Sequence, residues 1–502
     1  MNYHGRGMYQ WDTWYCKRKG TEEVHAFYLQ MRRPGSDRSE VEGKSLGHAV
    51  STNLLDWEEL PPALYAEEPG RIGDLENWTG STIEHEGKYY MYYTIRSSAN
   101  SGKIQMIGLA VSDDLMNWKK YEGNPVITPD PRWYNTVDAP SIRGLVDCRD
   151  LMVVKHDKRP GYFGVFVTRI PTEELPEGSV FAGAYSEDLI HWEQTPPVYR
   201  SPENRYSIVE MPDLFQLDGK WYLTWLEDTA YGNRNIFDEP YLTCGTVYAV
   251  SDRLEGPYVE PKDNILIASM GFNGFSCRTV DFKGKKYVLY SMGQRINENE
   301  FKHAFGVLGI PKEVKVIDGK LCACFPDLLS EKLSDTLIDP RSLPPQLDFY
   351  NQHETPGRWE ASGGKVKGSV RTAWCRYTFP AEGDNFVYSA DILVTKGTAA
   401  GLLVRQGPNK AGGVALLDFE RQTIGFFTFP RFQTVDMRRI PLKHGQKYNL
   451  KVLANKEFIE VYINDILYLQ FVFYFSGRGN FGLFLDRAEG EFENISAQKL
   501  NV

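Results

Sequence analysis

The chain has 502 residues, of which 42% are hydrophobic and 25% are charged, as in an ordinary globular protein of two or three domains. Its formal net charge of -9, with acids and bases interspersed, argues against a nucleic-acid surface or an anionic membrane as partner. The seven cysteines have no disulfide-framework or zinc-ligand spacing, and no stretch resembles a leader peptide or a membrane span, so we expect a cytoplasmic protein with reduced thiols, no metal and no cofactor.

The first short motif of the chain is Trp11-Asp12-Thr13-Trp14, an acidic residue between two indoles. Aromatic neighbours desolvate a carboxylate and offer flat faces on which a sugar ring can stack. Aromatic residues in an N-terminal strand are also ordinary core packing. The motif alone therefore leaves both interpretations open.

Two templates then recur along the chain. One has the form small-x-Ser-x-(Asn/Asp)-Leu-x-x-Trp and starts at Ala49, Ala110 and Ala184, with a worn fourth copy at Ala249. The other is a Gly turn between runs rich in Tyr, Val and Trp, as in IEHEGKYYMYYT, FQLDGKWYLTWL and VDFKGKKYVLYS. Such runs alternate as half-buried strands do, so we predict that each is a β-hairpin.

Together the templates define a period of about 60 to 75 residues, typical of a four-stranded antiparallel propeller blade. With VHAFYLQM as the second strand of the first unit, the chain has five such periods. A stretch rich in proline and acids follows, and then short alternating strands separated by Gly and Asn turns, among them VYSADILVT, AAGLLVRQG, GVALLDF, YNLKVLA and FIEVYINDILYLQFVF. The predicted fold is all-β, with a five-bladed β-propeller over residues 1–328, a linker over 329–350 and a β-sandwich over 351–502.

Candidate functional residues follow from the repeat, because equivalent positions on the innermost strands of a propeller meet at its central channel. When the blades are aligned on the start of that strand, Asp12, Asp150 and Glu210 occupy equivalent positions, in shared phase. The same position falls within Trp78 to Ser81 in the second blade and within Phe275 to Arg278 in the fifth. Successive positions are 60 to 72 residues apart. We therefore expect three carboxylates from three blades to converge on one axis.

Three acids and an arginine in one aromatic-walled site repel one another unless the protonation states of the acids differ. Glycoside cleavage requires such a difference, because an ionised carboxylate attacks or stabilises the anomeric carbon while a second carboxyl donates a proton to the leaving oxygen. A solvated turn residue or a strand cap would explain any one of these acids, but the shared phase argues against it for all three. The sequence favours a glycoside hydrolase with a small carbohydrate substrate.

Four motifs surround these candidate residues, namely WDTW from Trp11, WTGS from Trp78, CRDL from Cys148 and VEMPDLF from Val209. In this architecture they resemble family 32 of the glycoside hydrolases, the invertase and fructanase group, and its superfamily relatives. That family carries a nucleophilic Asp in a Trp-Met-Asn-Asp-Pro-Asn-type motif, a transition-state-stabilising Asp in Arg-Asp-Pro and an acid/base Glu in Glu-Cys.

The resemblance implies a retaining, β-fructofuranosidase-like hydrolase in which Asp12 is the nucleophile, Asp150 stabilises the transition state and Glu210 is the acid/base. The residues expected to bind substrate are Trp11, Trp14, Trp78, Thr79, Ser81, Arg149 and Arg278.

The motifs also depart from the family pattern. WDTW is closer to the Trp-Asp-Ser-Trp of the related family 68, Leu151 stands where the family has Pro, and Met211 stands where it has Cys.

Several alternatives stay open. The same acids could serve an inverting furanosidase, such as an arabinofuranosidase, or a fructosyltransferase that shares the covalent step. A sugar-binding protein without activity is disfavoured, because a binder does not need its acids. Arg149 could be a structural partner of Asp147 or Asp150 as well as a ligand of a sugar hydroxyl. The tract YGNRNIFDEPYLTCG from Tyr231 is a candidate aglycone loop, and a homodimer is one candidate assembly.

Overall fold

The computed structural model describes residues 2–141, 144–171, 178–200, 209–227, 237, 244–269, 273–295, 303–338, 357–408 and 410–501. The chain divides into two compact units. The N-terminal unit consists of Met1–Leu266 and Gly274–Leu321, and the C-terminal unit of Ile267–Asn273 and Cys322–Val502. Within the described residues, no helix has the length and apolar character that a membrane crossing requires.

Four four-stranded antiparallel sheets follow one another along the chain, each with its strands in sequence order or the exact reverse of it. Their strands are Met8–Lys17 (β1), Val24–Arg32 (β2), Leu46–Ser51 (β3) and Glu58–Leu64 (β4); Glu76–His85 (β5), Lys88–Arg96 (β6), Gln105–Ser112 (β7) and Lys119–Lys120 (β8); Cys148–Lys155 (β9), Tyr162–Arg169 (β10), Ser179–Ser186 (β11) and Glu193–Arg200 (β12); and Val209–Leu217 (β13), Lys220–Glu227 (β14), Cys244–Ser251 (β15) and Ile265–Ser269 (β16). The all-β prediction is confirmed, and the arrangement is propeller-like, with four four-stranded blades recognised among the described residues.

The Gly turns of the predicted hairpins have the backbone of type I′ turns, in which both central residues have positive φ. The φ angles are 51° and 82° at Glu86-Gly87 and 47° and 77° at Asp218-Gly219. This turn twists in the same sense as the strands that it joins, so it fixes the register of each hairpin.

The recurring Ser-x-Asx-Leu-x-x-Trp stretch is a turn closed by its own side chains. In the first copy the Ser51 hydroxyl accepts the N–H groups of Asn53 and Leu54 at 3.2 and 2.9 Å. The side-chain oxygen Oδ1 of Asn53 accepts the N–H groups of Leu55 and Asp56 at 2.9 and 2.8 Å. The leucine of each full copy has left-handed backbone, with φ of 63°, 65° and 67° at Leu54, Leu115 and Leu189. The template therefore recurs because a short side-chain cap must redirect the chain once per blade.

A further set of strands follows the four blades and consists of Asn273–Phe282 (β17), Lys285–Arg295 (β18), His303–Leu308 (β19), Lys312–Ile317 (β20) and Lys320–Cys324 (β21). β18 pairs with both β19 and β20. The start of the chain reaches β19, where Leu308 donates its N–H to the Tyr3 carbonyl at 2.7 Å.

The C-terminal unit forms a large antiparallel sheet system with a core of its own. Its strands are Leu333–Ile338 (β22), Arg358–Ser362 (β23), Lys365–Ser369 (β24), Trp374–Gly383 (β25), Phe386–Gln406 (β26), Gly412–Asp418 (β27), Thr423–Phe429 (β28), Thr434–Arg439 (β29), Lys447–Asn455 (β30), Phe458–Ile463 (β31), Ile466–Val472 (β32) and Gly479–Leu500 (β33). The short 3-10 helices of the described residues are Glu42–Lys44, Ser98–Asn100 and Asp327–Lys332.

Part of the predicted linker over 329–350 is regular structure. Strand β22 pairs with β33 from Leu333 opposite Leu500 to Ile338 opposite Ala497. Its isoleucine is buried in the core of the C-terminal unit, which explains why a stretch rich in acids still forms a strand. Residues 339–350 lie outside the described residues.

Candidate active site

The first strand of each blade has a β-bulge near the point where the sequence analysis aligned the blades. Two residues of the strand face one residue of its neighbour at Asp12-Thr13, Thr79-Gly80, Asp150-Leu151 and Met211-Pro212. The backbone is left-handed at three of the first-named residues, with φ of 47° at Asp12, 58° at Asp150 and 52° at Met211. Such backbone costs an L residue about 1–2 kcal/mol and turns its side chain off the regular pleat. The bulges therefore present selected side chains at the starts of neighbouring blades.

Asp12 is held by hydroxyl groups from two other strands. Thr79 donates its hydroxyl to Asp12 Oδ2 at 3.2 Å, and Ser276 donates its hydroxyl to Oδ1. Desolvation raises the pKa of Asp12 to about 6, with the negative charge of Asp150 adding to the rise and the two hydroxyls and Arg278 opposing it. Asp12 is thus ionised at neutral pH, more basic than an ordinary aspartate, and already oriented.

Asp150 and the guanidinium of Arg149 form the centre of a charged network. Asp150 accepts the N–H of Met211 through Oδ2 at 3.1 Å, and the Arg149 Nε lies 3.6 Å from the same oxygen. Burial raises the pKa of Asp150, while Arg149, this backbone hydrogen bond and Arg278 hold it down. The Arg149 Nη1 lies 3.1 Å from Asp147, which is also paired with Arg169. Arg149 is thus an ion-pair partner of both Asp147 and Asp150, and its role as a ligand of a sugar hydroxyl stays a prediction.

Glu210 lies one residue before the position predicted from the repeat. Met211 occupies the bulge position of β13, and Glu210 corresponds to Trp11 and Arg149, each directly before a bulge. The shared phase predicted for all three acids is therefore wrong for Glu210, because alternation along a strand does not reveal where a bulge adds a residue. The Arg149 Nη2 nevertheless lies 3.3 Å from Glu210 Oε1. The Glu210 side chain is 39% exposed and that of Asp150 5%, so the two carboxyls differ in access to solvent.

Arg278 is buried at 2% exposure and interacts electrostatically with Asp213, Asp150 and Asp12. Its Nη2 donates to the Gly80 carbonyl at 3.4 Å, while its Nε and Nη1 have no hydrogen-bond partner. Desolvation lowers the pKa of its guanidinium, which the three carboxylates oppose. Arg278 therefore offsets the negative charge of the buried acids around it, and its contact with a substrate hydroxyl stays a prediction.

Sequence reasoning missed two residues of this neighbourhood, Asp213 and Ser276. Asp213 is 1% exposed and accepts the N–H of Thr279 at 2.6 Å, so it ties β13 to β17 beside Arg278. Ser276 has the left-handed backbone of the bulge residues, with φ of 55°. It falls within the Phe275 to Arg278 window, and the positions of the bulges in the other blades would have identified it within that window.

The two tryptophans of the WDTW motif have different surroundings. Trp11 is partly exposed and packs against Met211, Leu226 and Phe275. Trp14 is 2% exposed, and its indole N–H donates to the Thr82 hydroxyl at 3.1 Å within an apolar cluster. Trp14 is therefore core packing and is not available to stack on a substrate, which corrects the expectation for this residue.

In the second blade, Trp78 is partly exposed, and the Arg96 guanidinium lies 3.8 Å from the centre of its ring, as in a cation–π contact. Ser81 is 4% exposed, and its hydroxyl is buried without a hydrogen-bond partner.

Of the predicted aglycone tract 231–245, nearly all lies outside the described residues. Among the residues that are described, no three His, Cys, Asp or Glu side chains are grouped as a metal site would require.

The sequence profile of the glycosyl hydrolases family 32 N-terminal domain matches residues 19–323, more than half of the chain. The chain belongs to glycosyl hydrolase family 32. The resemblance seen in the sequence motifs is thereby confirmed. The family 32 match includes Asp150, Glu210 and Arg278 but begins after Asp12, so the assignment of Asp12 depends on the geometry of its surroundings.

Family 32 relatives agree with this membership. A levanase from Bacillus subtilis (strain 168) is 25% identical over 450 residues, which cover 84% of this chain and 58% of the levanase. The chain thus spans less than two thirds of that relative's length. An exo-inulinase from Aspergillus awamori has a TM-score of 0.67 at 18% identity, covering 100% of this chain and 98% of that one. A GH32 beta-fructofuranosidase from Bombyx mori has a TM-score of 0.65 at 18% identity, covering 99% and 94%. These two structures share the fold of this chain.

Proposed function

We propose that this protein hydrolyses β-fructofuranosides by a retaining, double-displacement reaction, with Asp12 as nucleophile, Asp150 as stabiliser and Glu210 as acid/base. The observation that carries the proposal is the network from Asp12 through Asp150 and Arg149 to Glu210, in which each acid has different surroundings. Three carboxyls with unequal solvation and partners can hold different protonation states. Fructosides as substrates follow from family 32 membership, since the relatives named above are a levanase, an inulinase and a fructofuranosidase.

In the first step of this reaction the ionised Asp12 attacks the anomeric carbon, and the carboxylic acid of Glu210 donates its proton to the departing oxygen. Thr79 and Ser276 fix the Asp12 carboxylate, so little reorientation is needed at the moment of attack. The product of this step is a covalent ester between the sugar and Asp12. In the second step Glu210, now a carboxylate, takes a proton from water, and the hydroxide attacks the same carbon to regenerate Asp12.

Asp150 is assigned to the sugar ring rather than to bond formation. Its Oδ2 is occupied by the Met211 N–H and faces Arg149, which holds the carboxylate in place. Hydrogen bonds from the ring hydroxyls to a fixed carboxylate become stronger as positive charge develops at the anomeric carbon. Arg278, which interacts electrostatically with Asp12 and Asp150, is assigned to a sugar hydroxyl.

We infer a five-bladed propeller followed by a β-sandwich as the full architecture. Support for the fifth blade comes from β17, β18, β19 and β20, together with the bond from Leu308 to Tyr3 that links the start of the chain to this set. A ring of blades closes only if the start of the chain pairs with the last set of strands. The large apolar core of the C-terminal unit supports the sandwich.

The direct test is incubation with sucrose, inulin and levan, with NMR detection of the first anomer of fructose released. We expect fructose of the same anomeric configuration as the substrate. Release of the opposite anomer would support the inverting alternative, and new oligosaccharides in place of free fructose would support transfer.

The pH dependence of kcat/KM should reflect Asp12. Because the pKa of Asp12 is about 6, above its ordinary value, the carboxyl is protonated and unable to attack at lower pH. We expect kcat/KM to fall about tenfold per pH unit below pH 6. Ser276→Ala removes a hydrogen bond that lowers this pKa, so the acidic limb should move to higher pH. Asp113→Asn, at a carboxylate whose side chain is 82% exposed, is the control and should leave the limb unchanged. An unchanged limb in Ser276→Ala would contradict the role of Asp12.

Asp150→Asn should lower kcat far more than it changes KM. The amide keeps the size of the side chain but loses the negative charge that strengthens binding mainly in the transition state. We expect a loss in kcat of about 100-fold or more, with KM within a few-fold of the unmodified enzyme. Steady-state kinetics on sucrose measure both, and circular dichroism checks the fold. An effect confined to KM would show that Asp150 only binds the ground state.

A further inference from the structure

The sheet of the C-terminal unit is apolar on both faces, where one polar face is usual for a sheet that covers a core. Successive residues of a strand point to opposite faces. Along β26 and β27, Leu402 and Leu417 belong to the large core, whereas Leu403 and Leu416 belong to a second cluster. That second cluster, here called the outer cluster, consists of Leu403, Val414, Leu416, Phe427, Phe429 and Phe484, with Trp374 and Phe432 partly buried against it.

A cavity of about 520 Å³ opens on the outer cluster, and every residue that lines it belongs to the C-terminal unit. Its aromatic wall consists of Trp374, Phe432 and Phe484. The rings of Trp374 and Phe484 are stacked, with centroids 5.8 Å apart and planes at 26°. Phe432 lies 5.9 Å from Trp374 and 5.7 Å from Phe484. Trp374 and Phe432 are partly exposed, so flat apolar surface remains available beside the cavity.

Charged residues with fixed partners surround this aromatic wall. Arg487 lies 3.2 and 3.3 Å from the two carboxylate oxygens of Asp486 and 3.9 Å from Glu420. Arg421 donates its backbone N–H to Asp418 at 2.8 Å, and its Nε lies 3.8 Å from the same carboxylate. The side chains of Asp418 and Asp486 are 16% and 27% exposed, which leaves lone pairs open to a ligand.

The backbone beside the cavity is constrained at two of these places. Phe432 and Arg487 have left-handed φ angles of 53° and 44°. Phe432 donates its N–H to the Thr428 carbonyl at 2.7 Å, and Arg487 donates to the Ala373 carbonyl at 3.0 Å. Left-handed backbone at non-glycine residues persists only where the surroundings enforce it. The backbone that carries the Phe432 ring and the Arg487 guanidinium is therefore fixed before any ligand binds.

Three carboxylates and two guanidinium groups give this cavity one net negative charge, from Asp418, Glu420, Asp486, Arg421 and Arg487. A phosphorylated or carboxylated ligand would meet like charge, and a metal ion would have to displace the arginines from the acids. A neutral sugar matches the cavity, because its ring has an apolar face for Trp374 while its neighbouring hydroxyls both donate to carboxylates and accept from guanidinium groups.

We propose that this cavity is a second, non-catalytic carbohydrate site that binds one ring of a neutral oligosaccharide. Fructan is the ligand class, a choice that rests on the proposed function. One chain with two sugar sites gains effective concentration on a polymer. The cavity therefore favours polymeric substrate over sucrose.

The test uses the full chain carrying Asp12→Asn, so that bound oligosaccharide is not consumed, and isothermal titration calorimetry with a short inulin oligosaccharide. We expect two ligands per chain, and one per chain after Trp374→Ala is added. Asp486→Asn keeps the aromatic wall and should weaken binding at the second site about tenfold. Phe475→Ala, at an exposed aromatic residue outside the cavity, is the matched control and should keep both ligands.

A second readout uses the active enzyme. Trp374→Ala and Asp486→Asn should lower kcat/KM on levan about tenfold and leave kcat/KM on sucrose within about twofold. If the Asp12→Asn chain binds one ligand both with and without Trp374→Ala, and the active enzyme hydrolyses sucrose normally, the second site is overturned and the proposed function stands. A protein that hydrolyses no fructoside but binds xylo- or malto-oligosaccharides in a Trp374-dependent way would retain the site and overturn the proposed function and the choice of fructan.

Discussion

Asp12→Asn is expected to lower kcat on sucrose by at least about 10⁴-fold, because an amide of the same size can neither attack the anomeric carbon nor form the covalent intermediate. Thr79 and Ser276 can still bond to the amide, since a hydroxyl is both donor and acceptor. The variant should therefore fold and bind substrate. Steady-state rates on sucrose and calorimetric binding of an unreactive fructoside measure the two effects separately. A folded Asp12→Asn enzyme with near-native kcat would rule out Asp12 as nucleophile.

The stability of the same variant should depend on pH. Because the pKa of Asp12 is raised to about 6 from 3.8, the folded state binds its proton more tightly than the unfolded state does. The ionised carboxylate therefore destabilises the fold above pH 6, and this penalty disappears as the pH falls below 4. Allowing for the partial exposure of the side chain, the penalty is about 2 kcal/mol. Urea denaturation should show Asp12→Asn more stable than the unmodified protein by about that amount at pH 7.5 and equal to it at pH 3.5. A gain of the same size at both pH values would mean that packing, not charge, is the cause.

The blades could be predicted from the sequence because each is bounded by turns whose residue types are dictated by backbone geometry. A leucine at φ near 65° with a Ser and an Asx side chain to cap it, as at Leu54, leaves a pattern that recurs with every blade. The Gly turns at Gly87 and Gly219 are similarly required by positive φ. These constraints are local, so one sequence reveals them.

The long strands of the C-terminal unit were harder to predict. The stretches VYSADILVT and AAGLLVRQG, predicted as two strands, are one strand of 21 residues that continues through Gly397 at φ of 110°. Its main partner is β33, which is 22 residues long and was not predicted. Pairing across a separation of about a hundred residues leaves no local signal, so the sequence shows the strands but not their continuity.

At the candidate site, the residue types could be predicted from the sequence, but their positions relative to the β-bulges could not. Asp12 and Asp150 occupy the first residue of a bulge, whereas Glu210 precedes one, and only the register of the paired strands reveals the difference. The different roles of the two tryptophans in WDTW have the same origin. The bulge separates Trp11, which faces Met211 and Phe275, from Trp14, which joins the core. Asp213 was missed because a buried acid that bonds to backbone N–H groups resembles any other strand residue in a sequence.

Glu210→Ala is expected to lower kcat by about 10²- to 10⁴-fold on sucrose and much less on a nitrophenyl fructofuranoside. A sugar leaving group departs as an alkoxide and needs the proton of Glu210, whereas a nitrophenolate leaves without one. The partial exposure of Glu210, with Arg149 3.3 Å from its Oε1, provides the access that a donor to a leaving oxygen needs. Comparison of kcat on the two substrates measures this dependence on the leaving group.

Azide provides the decisive control for the same variant. Without Glu210, water lacks a base in the second step, and the covalent intermediate on Asp12 should accumulate with the activated substrate. Azide needs no base, so it should restore turnover and release a fructosyl azide with the configuration of the substrate. Glu210→Gln, which keeps the size and polarity of the side chain, should behave as the alanine variant does. If both variants lose equal activity on both substrates and azide changes nothing, Glu210 is a partner of Arg149 rather than the acid/base, and the proton donor must come from another residue near Asp150.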